Sequence, residues 1–155
     1  MQTPAPSRAE RALRITLGLT ALLIAYLGVD NALGGIASLG LQGPTDFFTV
    51  TNPRAFEIRD SHVRFLGGIW LGVAFVFMSA AVRFRPMRQA VATVCGLIFV
   101  GGLARFSAMN LGALAAHGLA PALLAELVLL PILGVWAFRT QPAPSAQAPA
   151  HAVPA

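Results

Sequence analysis

A chain of 155 residues that is 56% hydrophobic and 11% charged, with a mean hydropathy of +0.70, falls outside the range of soluble globular domains, in which about 25% of residues are charged. The net charge of +5 comes from eleven arginines and no lysine. These are split into short groups at the ends of apolar runs, which fits membrane topology and argues against a continuous phosphate-tracking face for nucleic acid.

Residues 1–14 form a basic N-terminal segment with Arg8, Arg11 and Arg14. Four apolar runs follow, at about Ile15–Leu33, Val63–Val82, Gln89–Met109 and Ala120–Phe138. Each is close to the ~20 residues that cross a hydrocarbon core as helix, the form that satisfies every backbone group in lipid. The first run also resembles a cleaved signal peptide, with its arginine-rich flank and the small residues Gly35 and Ala37. Its length, and the C-terminus that three remaining spans would leave outside, favour a retained span. Between the first two spans lies a loop over about residues 34–62, rich in glycine and with Phe47 and Phe48 suited to the membrane interface. Within it, Asn52 followed by Pro53 is a strong helix start and predicts one long helix from Pro53 to about Phe84. Arg83, Arg85 and Arg88 fill the turn between the second and third spans. Residues 140–155 form a Pro/Ala-rich tail expected to be disordered, with His151 in it. Cys95, the single cysteine, excludes an intrachain disulfide and reads as a small packing residue.

If the spans alternate, Arg8, Arg11, Arg14, Arg83, Arg85, Arg88 and Arg139 all fall on one side, and Asp30, Asp46, Glu57 and Asp60 on the other. Both termini are therefore expected in the cytoplasm. The predicted architecture is all-α, an integral membrane four-helix bundle.

The polar residues at the outer ends are the candidate site. Asp60 and Arg64 stand four apart on one helix face, with Gly68 and Gly72 below them. Gly67, Gly68 and Gly72 offer a small surface to a neighbouring helix. The third span carries the same pattern reversed, with Gly101 and Gly102 just before Arg105. Glu126 sits at matching depth in the fourth span. Charges inside a span cost at least about 2.5–3.5 kcal/mol and are expected to face the bundle and find partners. This predicts a buried network of Arg64, Arg105 and Glu126, with Asp60 at its rim, Glu57 or Asp30 as further members and residues 32–52 as a lid. In one reading the charges satisfy each other and fix the packing. In the other, arginine donors in excess hold a lipid head group, a small anion or a partner helix.

His62 and His117, with Glu57 or Asp60, lack metal-ligand spacing, and neither histidine is placed to hold a haem. Ser107 reads as bonding its own helix backbone, and no nucleophile with a base is visible. Trp70 and Trp136 read as lipid- or core-facing aromatics. Pro131 is expected to kink the fourth span and lean the Glu126 half toward the bundle.

The arginine followed by Gly67-Gly68, the "GGLAR" of residues 101–105 and the glutamate early in the fourth span together resemble the DUF4345 family, small bacterial four-span membrane proteins of unknown function, loosely DoxX-like. The resemblance covers about residues 15–139. It implies a compact four-helix bundle in the inner (plasma) membrane, with no assigned activity, and marks Arg64, Gly67, Gly68, Gly101, Gly102, Arg105 and Glu126. The expectation is a non-enzymatic multi-pass protein without metal or cofactor, in contact with membrane lipid and able to form a homo-oligomer or join a membrane partner protein. The alternatives are a small transporter subunit or proton-coupled carrier acting as an oligomer, and a protein associated with a membrane oxidoreductase or acting on lipid.

Overall fold

The computed structural model describes residues 5–38, 49–108, 112 and 119–140. The predicted tail beyond Thr140, the centre of the loop that would form a lid, Asp46, His117 and His151 lie outside them. Four helices are long and apolar enough to cross a membrane: α1 (Arg8–Gly34), α2 (Pro53–Val82), α3 (Phe84–Ala104) and α4 (Leu119–Arg139). The protein is an all-α multi-pass membrane bundle.

The ends of the helices follow from local chemistry. Ser7 starts α1, its hydroxyl accepting the Glu10 N–H at 3.1 Å, so the helix takes in the basic segment that the apolar run alone left outside. Gly35 ends it at φ +62°, a left-handed conformation open to glycine, and a short 3-10 turn, Gly35–Ala37, follows. Asn52 caps α2, its side-chain oxygen accepting the Ala55 N–H at 3.1 Å, and Pro53 opens the helix. A single residue, Arg83 (φ −128°, ψ 69°), separates α2 from α3. Arg85 and Arg88 therefore belong to α3 rather than to the turn. Pro86 allows this because it occupies the first turn, where its missing N–H has no intrahelical partner to lose.

In α4 the expected disturbance before Pro131 takes the form of a π turn at Ala125–Leu129, within which Leu130 N–H donates to the Ala125 carbonyl. Pro131 cannot donate to the residue four before it, and the widened turn lies on the N-terminal side of that gap.

The helices alternate in direction. The N-terminus of α1, the α2–α3 turn and the C-terminus of α4 share one end, hereafter the terminal end. Gly35, Asp60, Arg105 and Glu126 lie at the distal end. α1 packs chiefly on α2 and α3 chiefly on α4, with α2 against α3 joining the two pairs. The core is one cluster, and Leu13, Leu17, Phe77, Val91 and Cys95 are its largest fully buried side chains. Leu33 and Phe75 are each 74% exposed, which suits a lipid-facing surface and not one in water.

Of the five glycines singled out in the sequence, two are pinched between helices. A Cβ on Gly67 would lie 2.3 Å from the Ala32 nitrogen of α1. One on Gly102 would lie 2.8 Å from Leu127 and 3.0 Å from the Cβ of Glu126 in α4. Gly68, Gly72 and Gly101 face open space, with no such neighbour within 4 Å among the described residues. Gly67→Ala is thus expected to lower the unfolding temperature in detergent, at a cost on the order of 1–3 kcal/mol from overpacking. Gly68→Ala gains helix propensity and should hold or raise it. Equal effects from the two variants would contradict this packing.

Candidate functional site

The distal charges form two pairs, one on each helix pair. On the first, Arg64 Nε donates to Asp60 Oδ2 at 2.6 Å, within α2. The same guanidinium reaches across to α1 and donates through NH1 to the carbonyls of Leu33 (2.5 Å) and Ala32 (3.3 Å). Asp60 Oδ1 accepts the Ile36 N–H at 2.8 Å. A carboxylate and a guanidinium one turn apart on α2 therefore satisfy a donor and two acceptors where α1 ends, groups that no intrahelical bond can serve. Gly35 lets them come so close: a Cβ there would lie 1.9 Å from Asp60 Oδ1 and 3.0 Å from Arg64 Nε. Asp30 hydrogen-bonds the Ser38 hydroxyl beside this clamp.

On the second helix pair, Arg105 meets Glu126 bidentately, Nε to Oε2 and NH2 to Oε1, both at 2.7 Å. Arg105 opens the 3-10 turn Arg105–Ala108 at the end of α3. Glu126 lies inside the π turn of α4 and is 8% exposed. Gly102, one turn before Arg105, lies directly against Glu126 and Leu127 of α4. In this planar fork each charge answers the other, with the carboxylate buried and the guanidinium partly exposed.

Among the described residues no hydrogen bond or ion pair joins the two pairs into the single network expected from the sequence. Depth along the spans brought Arg105 to Glu126, but it could not show that Arg64 is taken up by the end of α1. Glu57 and His62 are exposed, and His62 lies beside Phe65 with ring centroids 6.3 Å apart. Among the described residues no group of three or more His, Cys, Asp or Glu is placed to hold a metal ion.

Sequence reasoning missed a matching set of contacts at the terminal end. Arg14 of α1 donates to the Ala81 and Val82 carbonyls at the C-terminus of α2, each at 2.7 Å. Arg88 of α3 donates to the Thr140 carbonyl just past α4 at 3.5 Å. Glu10, 7% exposed, lies 3.7 Å from Arg85 and links α1 to α3. Topology accounts for arginines at this end without any contact, so these bonds left no signal in residue type. The acid inside the first basic group, Glu10, was the one available clue.

The chain belongs to the family described as "Domain of unknown function (DUF4345)", whose sequence model matches residues 12–137. No curated protein and no solved structure matches it.

Two experiments probe the pairs. Reversing Arg105→Glu or Glu126→Arg alone should lower the folded yield, and the double reversal should recover part of the loss. The expected coupling is on the order of 1 kcal/mol, discounted because Arg105 is 39% exposed; additive losses would remove the pair. Arg64→Met should reduce hydrogen-exchange protection around residues 30–36 while leaving α4 unchanged. A uniform loss across all four helices would show that Arg64 acts on the whole bundle instead.

Proposed function

We propose that this DUF4345 protein is a non-enzymatic membrane protein that binds an anionic group at Arg105, either the phosphate of a lipid head group or a small free anion. One observation carries the reading, the division of the Arg105 guanidinium. Two of its nitrogens are spent on Glu126, while NH1 has no acceptor among the described residues and the side chain stays 39% exposed. A guanidinium held on one edge by a buried carboxylate keeps its remaining donors aimed, so an incoming phosphate or carboxylate meets an oriented partner. A carboxylate on a partner helix would use the same donors. Arg64, 43% exposed and with NH2 likewise without an acceptor among the described residues, is the second candidate, ranked lower because its other donors also hold the backbone end of α1. Arginine placement supports an inner-membrane orientation with both termini cytoplasmic, so that Arg105 faces outward.

A second reading, a small proton-coupled carrier or transporter subunit acting as an oligomer, is favoured by the π turn around Glu126, since such turns recur at functional positions. In that reading Glu126→Gln abolishes a proton flux in proteoliposomes that wild type supports.

Native mass spectrometry of the full chain in mild detergent, beside an Arg105→Ala variant shown to be folded, tests the first reading. An adduct held by wild type and lost by the variant is the expected result, and its mass separates lipid from free anion. A folded wild type free of adduct would leave Arg105 and Glu126 as a packing pair.

A further inference from the structure

At the opposite end of the molecule, an open groove of about 530 Å³ runs along the junction of α2 and α3. Phe75, Met78, Ser79 and Val82 of α2 and Met87 of α3 line it, and Arg83 stands at its mouth. Its size falls within the roughly 300–1,000 Å³ of small-molecule sites. From Phe75 to Val82 the helix rises about 10 Å, some two thirds of the ~15 Å of hydrocarbon in one leaflet. Phe75 and Val82 are 74% and 63% exposed, so the groove opens on the lipid side.

Charge at the mouth identifies the occupant. Three neighbouring arginines are already engaged: Arg14 on the Ala81 and Val82 carbonyls, Arg85 with Glu10, and Arg88 on Thr140. The Arg83 guanidinium is exposed and has no carboxylate or carbonyl partner among the described residues. Its backbone is held, with N–H donating to the Ser79 carbonyl at 2.7 Å, and it is the whole of the α2–α3 connection. An uncommitted guanidinium on a fixed backbone thus sits where the hydrocarbon gives way to the head-group layer, above an apolar slot. A neutral lipid would fill the slot and leave the charge unanswered, and a free anion would answer the charge and leave the slot. We propose that the groove holds an acyl chain of an anionic phospholipid whose phosphate rests on Arg83.

The test is native mass spectrometry of the full chain titrated with phosphatidylglycerol, phosphatidylcholine or inorganic phosphate. Wild type, Arg83→Gln and Arg11→Gln are compared; Arg11 is an exposed arginine at the same end and away from the groove. Wild type should retain phosphatidylglycerol over phosphatidylcholine by roughly five-fold, the factor expected of one arginine near the head groups, and bind inorganic phosphate negligibly. Arg83→Gln should abolish the preference and Arg11→Gln should keep it. Equal loss from both variants would mean that the basic end attracts anionic lipid diffusely, and a preference surviving Arg83→Gln would place the lipid elsewhere. Inorganic phosphate binding lost in Arg83→Gln would make the groove irrelevant. Any of these three overturns the proposal. Because Arg105 lies at the other end, an adduct lost in Arg105→Ala but not in Arg83→Gln belongs to the distal site, so the two readings fail separately.

Discussion

The last carbonyls of a helix have no intrahelical donor, and near the edge of a bilayer water is an uncertain substitute. In this bundle arginines from neighbouring helices supply the donors. Arg64 of α2 serves the end of α1, Arg14 of α1 serves the end of α2, and Arg88 of α3 serves the end of α4. The first two are reciprocal, so α1 and α2 are fastened to each other at both ends. A cation at a helix C-terminus also meets the negative end of the helix dipole, and the forked guanidinium can reach adjacent carbonyls at once, as an ammonium does less well. That gives a chemical reason for arginine at Arg14 and Arg64 in a chain without lysine.

The second helix pair is held differently. Arg105 and Glu126 are both side chains, and their pairing needs α3 and α4 to come close, which Gly102 permits. The π turn gives Glu126 its setting on α4. Arg64 and Arg105 each keep one terminal nitrogen without a partner among the described residues, but Arg64 also holds two backbone carbonyls of α1, whereas Arg105 is held by a carboxylate alone, and this difference separates the candidate binding site from the clamp. Glu10 with Arg85 ties the first pair to the second at the terminal end, where the fully buried Leu13 and Phe77 lie.

Much of the architecture is legible in the sequence because hydropathy and capping act locally. The four apolar runs mark the spans, and Asn52-Pro53 marks the start of α2. Other features depend on contacts between distant residues. Gly67 and Gly68 are adjacent and chemically identical, yet about 100° apart around the helix; only the position of Ala32 makes the first indispensable and leaves the second open. The carbonyls bound by Arg14 and Arg64 carry no residue identity that a sequence pattern could match. The network expected of Arg64, Arg105 and Glu126 rested on depth alone, and depth does not say which neighbour lies on which side.

The single-residue junction at Arg83 bears on how the chain enters a bilayer. α2 and α3 have no connecting segment that could lie in water with one helix inserted and the other not, so the junction favours entry as one hairpin. A residue added at this point would put slack into the junction and let the facing ends of α2 and α3 shift, disturbing the Ala81 and Val82 carbonyls that Arg14 holds. The junction should therefore be among the places in the chain least tolerant of insertion, although it lies at the surface, where loops ordinarily absorb such changes.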